Sequence, residues 1–86
     1  VAEEVVRRCE DDRLTELVGK FSTEMTIKLH RQRRKGYSGW DDDCEVSFLE
    51  ELLLQHVERA KSDPNQWVDV ANFAAMLYHR TRRDLR

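Results

Sequence analysis

The residues best placed to do chemistry in these 86 residues are Asp69 and Asn72, which sit among Val68, Val70, Phe73 and Met76. At i and i+3 they share one helix face. A carboxylate in apolar surroundings is costly unless it is paired, hydrogen-bonded or bound to a metal. Two readings follow. Asp69 is either neutralised by a base, such as Lys28 or an arginine of the basic run, or it holds Mg²⁺ or contacts a substrate. A second cluster is His30, Arg31, Arg33, Arg34 and Lys35, with Tyr37 and Trp40 close behind. Such a set is a solvated helix end, or it grips phosphates or an acidic partner and stacks a base. As a nucleic-acid site it is short, and Asp41, Asp42 and Asp43 would repel a backbone. Trp40 itself either folds back onto the core or borders a ligand pocket. His56 lies at the edge of an apolar stripe and reads as a hydrogen-bonded, half-buried histidine. No P-loop, zinc-ligand spacing or Ser/His/Asp arrangement is present.

These residues must be positioned by helices. Leu14, Leu17, Val18, Phe21, Met25, Lys28 and Leu29 recur at spacings of three and four, the helical period. Val5, Val6 and Cys9 extend that stripe backwards, with Cys9 read as a small core residue. The first helix is expected over about 2–32, with a weak point near Asp11–Arg13. Residues 35–46 form a loop around Gly36 and Gly39. The second helix is expected over 47–61, opened by a capping box of Ser47 and Glu50. The third is expected over 64–82, with Asp63 as cap and Pro64 in the first turn. It carries apolar residues on more than one side and is the candidate centre of the domain. Arg80, Arg82, Arg83 and Arg86 close the chain.

Composition agrees: 40% hydrophobic, 37% charged, three glycines and one proline. The fold class is therefore all-α, with three to four helices in one domain. A core this small rarely stabilises a fold by more than a few kcal/mol, about the limit for 70–80 residues. The expectation is a bundle completed by dimerisation, with a homodimer or tetramer formed through the second and third helices. Net charge is −2, so no overall field favours nucleic acid or membrane. Two cysteines, Cys9 and Cys44, make no disulfide framework. No apolar run reaches the roughly 18 residues of a membrane span, and the default setting is cytoplasmic.

The order of segments resembles small phage- and prophage-encoded proteins related to the MazG-type all-α nucleotide pyrophosphohydrolases. The resemblance runs from about Leu14 to Arg80. It rests on Val68-Asp69-Val70-Ala71-Asn72-Phe73 together with the upstream Lys35-Gly36…Gly39-Trp40 loop. It implies hydrolysis of a (deoxy)nucleoside triphosphate to monophosphate and pyrophosphate, in a bacterial host cell. Such enzymes share Mg²⁺ between an E-x-x-E pair and an E-x-x-D pair on neighbouring helices. Here Glu50 is followed three places on by Leu53 and Glu51 by Leu54, while Gln66 stands three before Asp69. The resemblance thus carries over Asp69 with Glu50 or Glu51 as metal ligands. Lys28, Arg34 and Lys35 would meet phosphates, Trp40 would border the base, and Asn72 would contact the ligand. No residue is assigned as the catalytic group. The rival expectation is a non-catalytic phage effector that binds a host protein through loop 31–43 and the basic tail. A nucleic-acid binder using residues 30–35 is a third.

Overall fold

The computed structural model describes the backbone of residues 2–84 and the side chains of residues 9–83. Three helices make up the described chain: α1 (Ala2–Arg34), α2 (Val46–Ala60) and α3 (Gln66–Asp84). The stripe positions Val5 and Val6, and Arg86 at the basic end, lie outside the described side chains.

α1 has no break at Asp11–Arg13 and is continuous for 33 residues, about 50 Å at 1.5 Å per residue. It stops at Gly36. The Gly36 N–H donates to the Arg33 carbonyl at 3.0 Å and the Tyr37 N–H to the Gln32 carbonyl at 3.2 Å. This paired 5→2 and 6→1 pattern is a Schellman ending, which requires a left-handed residue; Gly36 has φ +99°. Gly39, at φ +86°, turns the chain again. A Cβ there would lie 3.0 Å from the Asp43 Cβ, so only glycine fits. The Asp43 and Cys44 N–H groups both donate to the Gly39 carbonyl, curling residues 39–44 into a single turn.

α2 begins one residue earlier than its sequence predicts. Its N-cap is Glu45, and no side chain caps it, so the Ser47–Glu50 capping box does not form. The reason is positional: Ser47 already lies inside the helix, with its N–H within the first turn. The α2–α3 connection is a short antiparallel helical hairpin. Asp63 shapes it: its Oδ1 accepts the Asn65 N–H at 3.2 Å and its Oδ2 accepts the Gln66 Nε2–H at 3.1 Å. α3 accordingly starts at Gln66, after Pro64.

α3 is the centre, as its two-sided apolar pattern demands. It packs along α2 and crosses α1, whereas α1 and α2 do not pack on one another. The core is thin. Leu49 and Ala60 are the buried apolar residues, and no large side chain is completely enclosed. Phe73 adds an aromatic contact to His56, ring centroids 4.9 Å apart. The His56 Nδ1 lies 2.7 Å from the Leu52 carbonyl, one helical turn back. The radius of gyration is 16.3 Å, against about 12 Å for a compact chain of this length. α1 causes the difference, because it outruns the 19-residue α3 on which it rests. No described helix is long and apolar enough to cross a membrane.

Candidate functional site

The α1–α3 crossing brings together three residues singled out by the sequence. Lys28 Nζ donates to Asp69 Oδ2 at 2.6 Å, with both side chains mostly covered. One turn back along α1 and one turn on along α3, Asn72 Nδ2 donates to the Met25 carbonyl at 3.4 Å. The two contacts step in opposite directions along the two helices, so α1 and α3 run antiparallel where they meet. Asn72 is buried, and its Oδ1 has no partner. Of the two fates open to Asp69, the structure shows the pairing with a base. The pair acts as a joint: two charges held in fixed register weld an otherwise light helix crossing.

The other sequence candidates lie elsewhere. Glu50 and Glu51 are exposed. They sit about 100° and 200° around α2 from the buried Leu49, on the side facing water rather than α3. Among the described residues no three His, Cys, Asp or Glu side chains converge as a metal site. Arg34 ends α1 and Lys35 follows it, both exposed. Cys9 is exposed rather than a core residue, and both cysteines are free thiols. The reason for Cys9 is its place on α1: it lies in the stretch from Cys9 to Glu24, every residue of which is exposed.

Trp40 anchors the loop mainly through its backbone. Arg80 is a buried arginine, and its Nη1 donates to the Trp40 carbonyl at 2.9 Å and the Cys44 carbonyl at 2.8 Å. Arg83 donates to the Asp41 carbonyl at 2.6 Å. Two arginines at the end of α3 thus satisfy the carbonyls of the 39–44 turn. The Trp40 ring meets the His79 ring edge-on, centroids 5.4 Å apart. The lid reading of Trp40 is thereby half met, since the side chain closes over the end of α3 while staying partly exposed. On the outside of the same turn, Asp42 is held above the ordinary carboxylate range. Its neighbours Asp43 and Asp41 repel its charge, and Arg83 opposes that only in part.

Two features went unread in the sequence. One is a shallow groove of about 340 Å³ lined by Tyr78, His79, Arg82 and Arg83. Arg82 bends back over the Tyr78 ring, 5.2 Å from its centroid, and donates to the Tyr78 hydroxyl at 2.7 Å. The i, i+4 spacing of Tyr78 and Arg82 was its available signal. The other feature is larger. Leu14, Leu17, Val18 and Phe21, which the period of α1 assigns to a core, stand in solvent, with Leu17 62% and Val18 66% exposed. Every residue from Cys9 to Glu24 is exposed, and burial on α1 begins at Met25. Residues 9–24 form an arm whose apolar face is covered by no other described residue. The mismatch in length between the first and third segments was the signal that could have found it.

Compared with protein families, curated proteins and solved structures, the chain matches none.

Proposed function

We propose that this chain is a non-catalytic helical interaction module, with the arm of α1 as its working surface. The observation that carries the reading is the continuous apolar stripe Leu14, Leu17, Val18 and Phe21, left uncovered beside a core of two buried apolar residues. Single exposed leucines are ordinary, but a contiguous apolar strip on a soluble domain marks a contact site. Most helical stability in proteins comes from packing an amphipathic face. An arm of this kind therefore gains order when a partner covers it. α2, α3 and the Lys28–Asp69 joint form the base that aims the arm. The same joint gives Lys28 and Asp69 a structural role, and Asn72 Nδ2 holds the Met25 carbonyl beside it.

The test is association, measured two ways against Leu17→Glu: sedimentation of the pure chain, and capture of partners with wild-type and variant baits. Loss of self-association or of a captured partner in the variant supports the reading. No change in either assay defeats it.

A second reading has its own observation. The groove of Tyr78, His79, Arg82 and Arg83, next to Trp40, offers cationic and aromatic groups to a (deoxy)nucleoside triphosphate of the kind the MazG-type resemblance implies. Calorimetric titration with dATP and Mg²⁺, with pyrophosphate release followed in parallel, decides it. Binding that is lost in Arg82→Ala favours the groove, and absence of binding rejects it.

A further inference from the structure

We infer that the C-terminal end of α1 binds single-stranded nucleic acid, with Arg31, Arg33, Arg34 and Lys35 on its phosphates and Tyr37 stacked on a base. This surface is separate from the arm and does not depend on the reading of the arm.

The first observation is unanswered charge. Arg31, Arg33, Arg34 and Lys35 are all exposed. None of their side chains has an ion-pair or hydrogen-bond partner among the described residues. Other cations of the molecule are engaged: Lys28 holds Asp69, and Arg80 and Arg83 hold loop carbonyls. The Lys35 N–H donates to the Arg31 and Gln32 carbonyls at 3.3 and 3.1 Å, so Lys35 completes the last turn. Arg31, Arg34 and Lys35 then lie within about 100° of arc, at the spacings where like charges repel. The negative end of the helix dipole draws cations, but it carries only about half an elementary charge. Four full charges stand against it. The excess is what a polyanion neutralises.

The second observation is the ring. The Schellman ending ties the Tyr37 N–H to the Gln32 carbonyl at 3.2 Å, which folds Tyr37 back to the turn that carries Arg31 and Arg33. Tyr37 is 69% exposed. It meets no other ring or guanidinium among the described residues. An aromatic face beside cations accepts the face of any base. A duplex hides its base faces, so this pairing fits a single strand. A bilayer surface calls for apolar groups that enter it beside the cations, and residues 30–37 contain no aliphatic side chain.

The third observation concerns Asp41, Asp42 and Asp43, whose charge would oppose a strand. The charges that act on Asp42 are those of Asp43, Asp41 and Arg83, and none belongs to the end of α1. Asp42 therefore lies out of close range of that end. The turn is held to α3 by Arg80 and Arg83.

The experiment is fluorescence anisotropy on the full chain from about 0.02 to 0.2 M salt. The probes are a labelled oligothymidylate of about 12 nucleotides and the matching oligouridylate. Binding of either supports the site, and the tighter one names the source as DNA or RNA. The slope of log affinity against log salt should be about −2 to −3. Arg34→Gln should flatten it by about 0.7, and Arg34→Lys should restore it. Tyr37→Ala should weaken binding about 10-fold and leave the slope unchanged. An abasic strand of equal length should bind the wild type about as weakly. Circular dichroism checks that each variant keeps its helices. No binding at the lowest salt overturns the proposal, as does binding that Arg34→Gln leaves untouched. A loss on Arg82→Ala with none on Arg34→Gln puts the strand in the α3 groove and overturns this site. Equal affinity for polyglutamate, for phosphatidylserine vesicles or for duplex DNA overturns the single strand as its ligand.

Discussion

The two halves of α1 belong to one unbroken helix and carry one apolar stripe, yet they have opposite fates. From Met25 onward the stripe meets α3, and Lys28 is locked to Asp69 at 2.6 Å. From Cys9 to Glu24 the same face meets nothing. The difference teaches that a helical period announces a face that wants cover, without naming what covers it. In the docked half the cover comes from the chain itself, because α3 is there. In the free half no other described element lies against the stripe.

The comparison can be broken or sharpened by substitution. The largest effect should come from removing the platform under the docked half. Leu49→Ala empties the most buried apolar position, 2% exposed. It should cost about 2–4 kcal/mol in chemical denaturation and release α1 along with the α2–α3 hairpin. Next is the joint. Asp69→Ala strands Lys28 and should cost about 2 kcal/mol, scaled for partial exposure of the pair. Hydrogen exchange should then show residues 25–32 losing protection, so that the docked half comes to resemble the free one. A substitution in the arm should move stability the other way. Gly19 is a helix-interior glycine with nothing within 4 Å of an added Cβ. Gly19→Ala should therefore stabilise by about 0.5–1 kcal/mol, read as a higher Tm and stronger helical circular dichroism.

The smallest effect concerns a site outside both halves. The folded chain holds the Asp42 carboxyl above its ordinary range, so folding disfavours its charged form. That contribution to stability is present at acid pH and is lost as pH rises through the raised value. Asp42→Asn should thus raise Tm slightly at pH 7 and leave it unchanged in acid, where the wild-type carboxyl is already neutral. A Tm gain that persisted in acid would mean that the repulsion from Asp43 and Asp41 is not its cause.

Much of the architecture was legible. The three helical segments, the breaks at Gly36 and Gly39 and the hairpin at Asp63–Pro64 follow from local rules, because glycine φ, proline rigidity and side-chain period act within a few residues. The Ser47–Glu50 box was misread for the same local reason. Helix starts two residues apart differ little in energy, and the chain entering from the 39–44 turn placed the N-cap at Glu45 instead of Ser47. Of the candidate site, the tension at Asp69 was visible as a carboxylate among apolar neighbours. Its resolution was left open between a base and a metal, since Lys28 lies 41 residues away in sequence. The buried Arg80, gripping the Trp40 and Cys44 carbonyls, gave no sign beyond an arginine near a helix end.

What the residues alone determined is therefore secondary structure and appetite: which stretches become helices, and which faces seek burial. What only the tertiary structure decided is who meets whom. Lys28 met Asp69 and Arg80 met the loop carbonyls, while Leu17 and Val18 met nothing. The physical reason is that periodicity is set by dihedral angles and side-chain size within one turn. Pairing depends on where distant segments arrive once loops of fixed length have turned the chain.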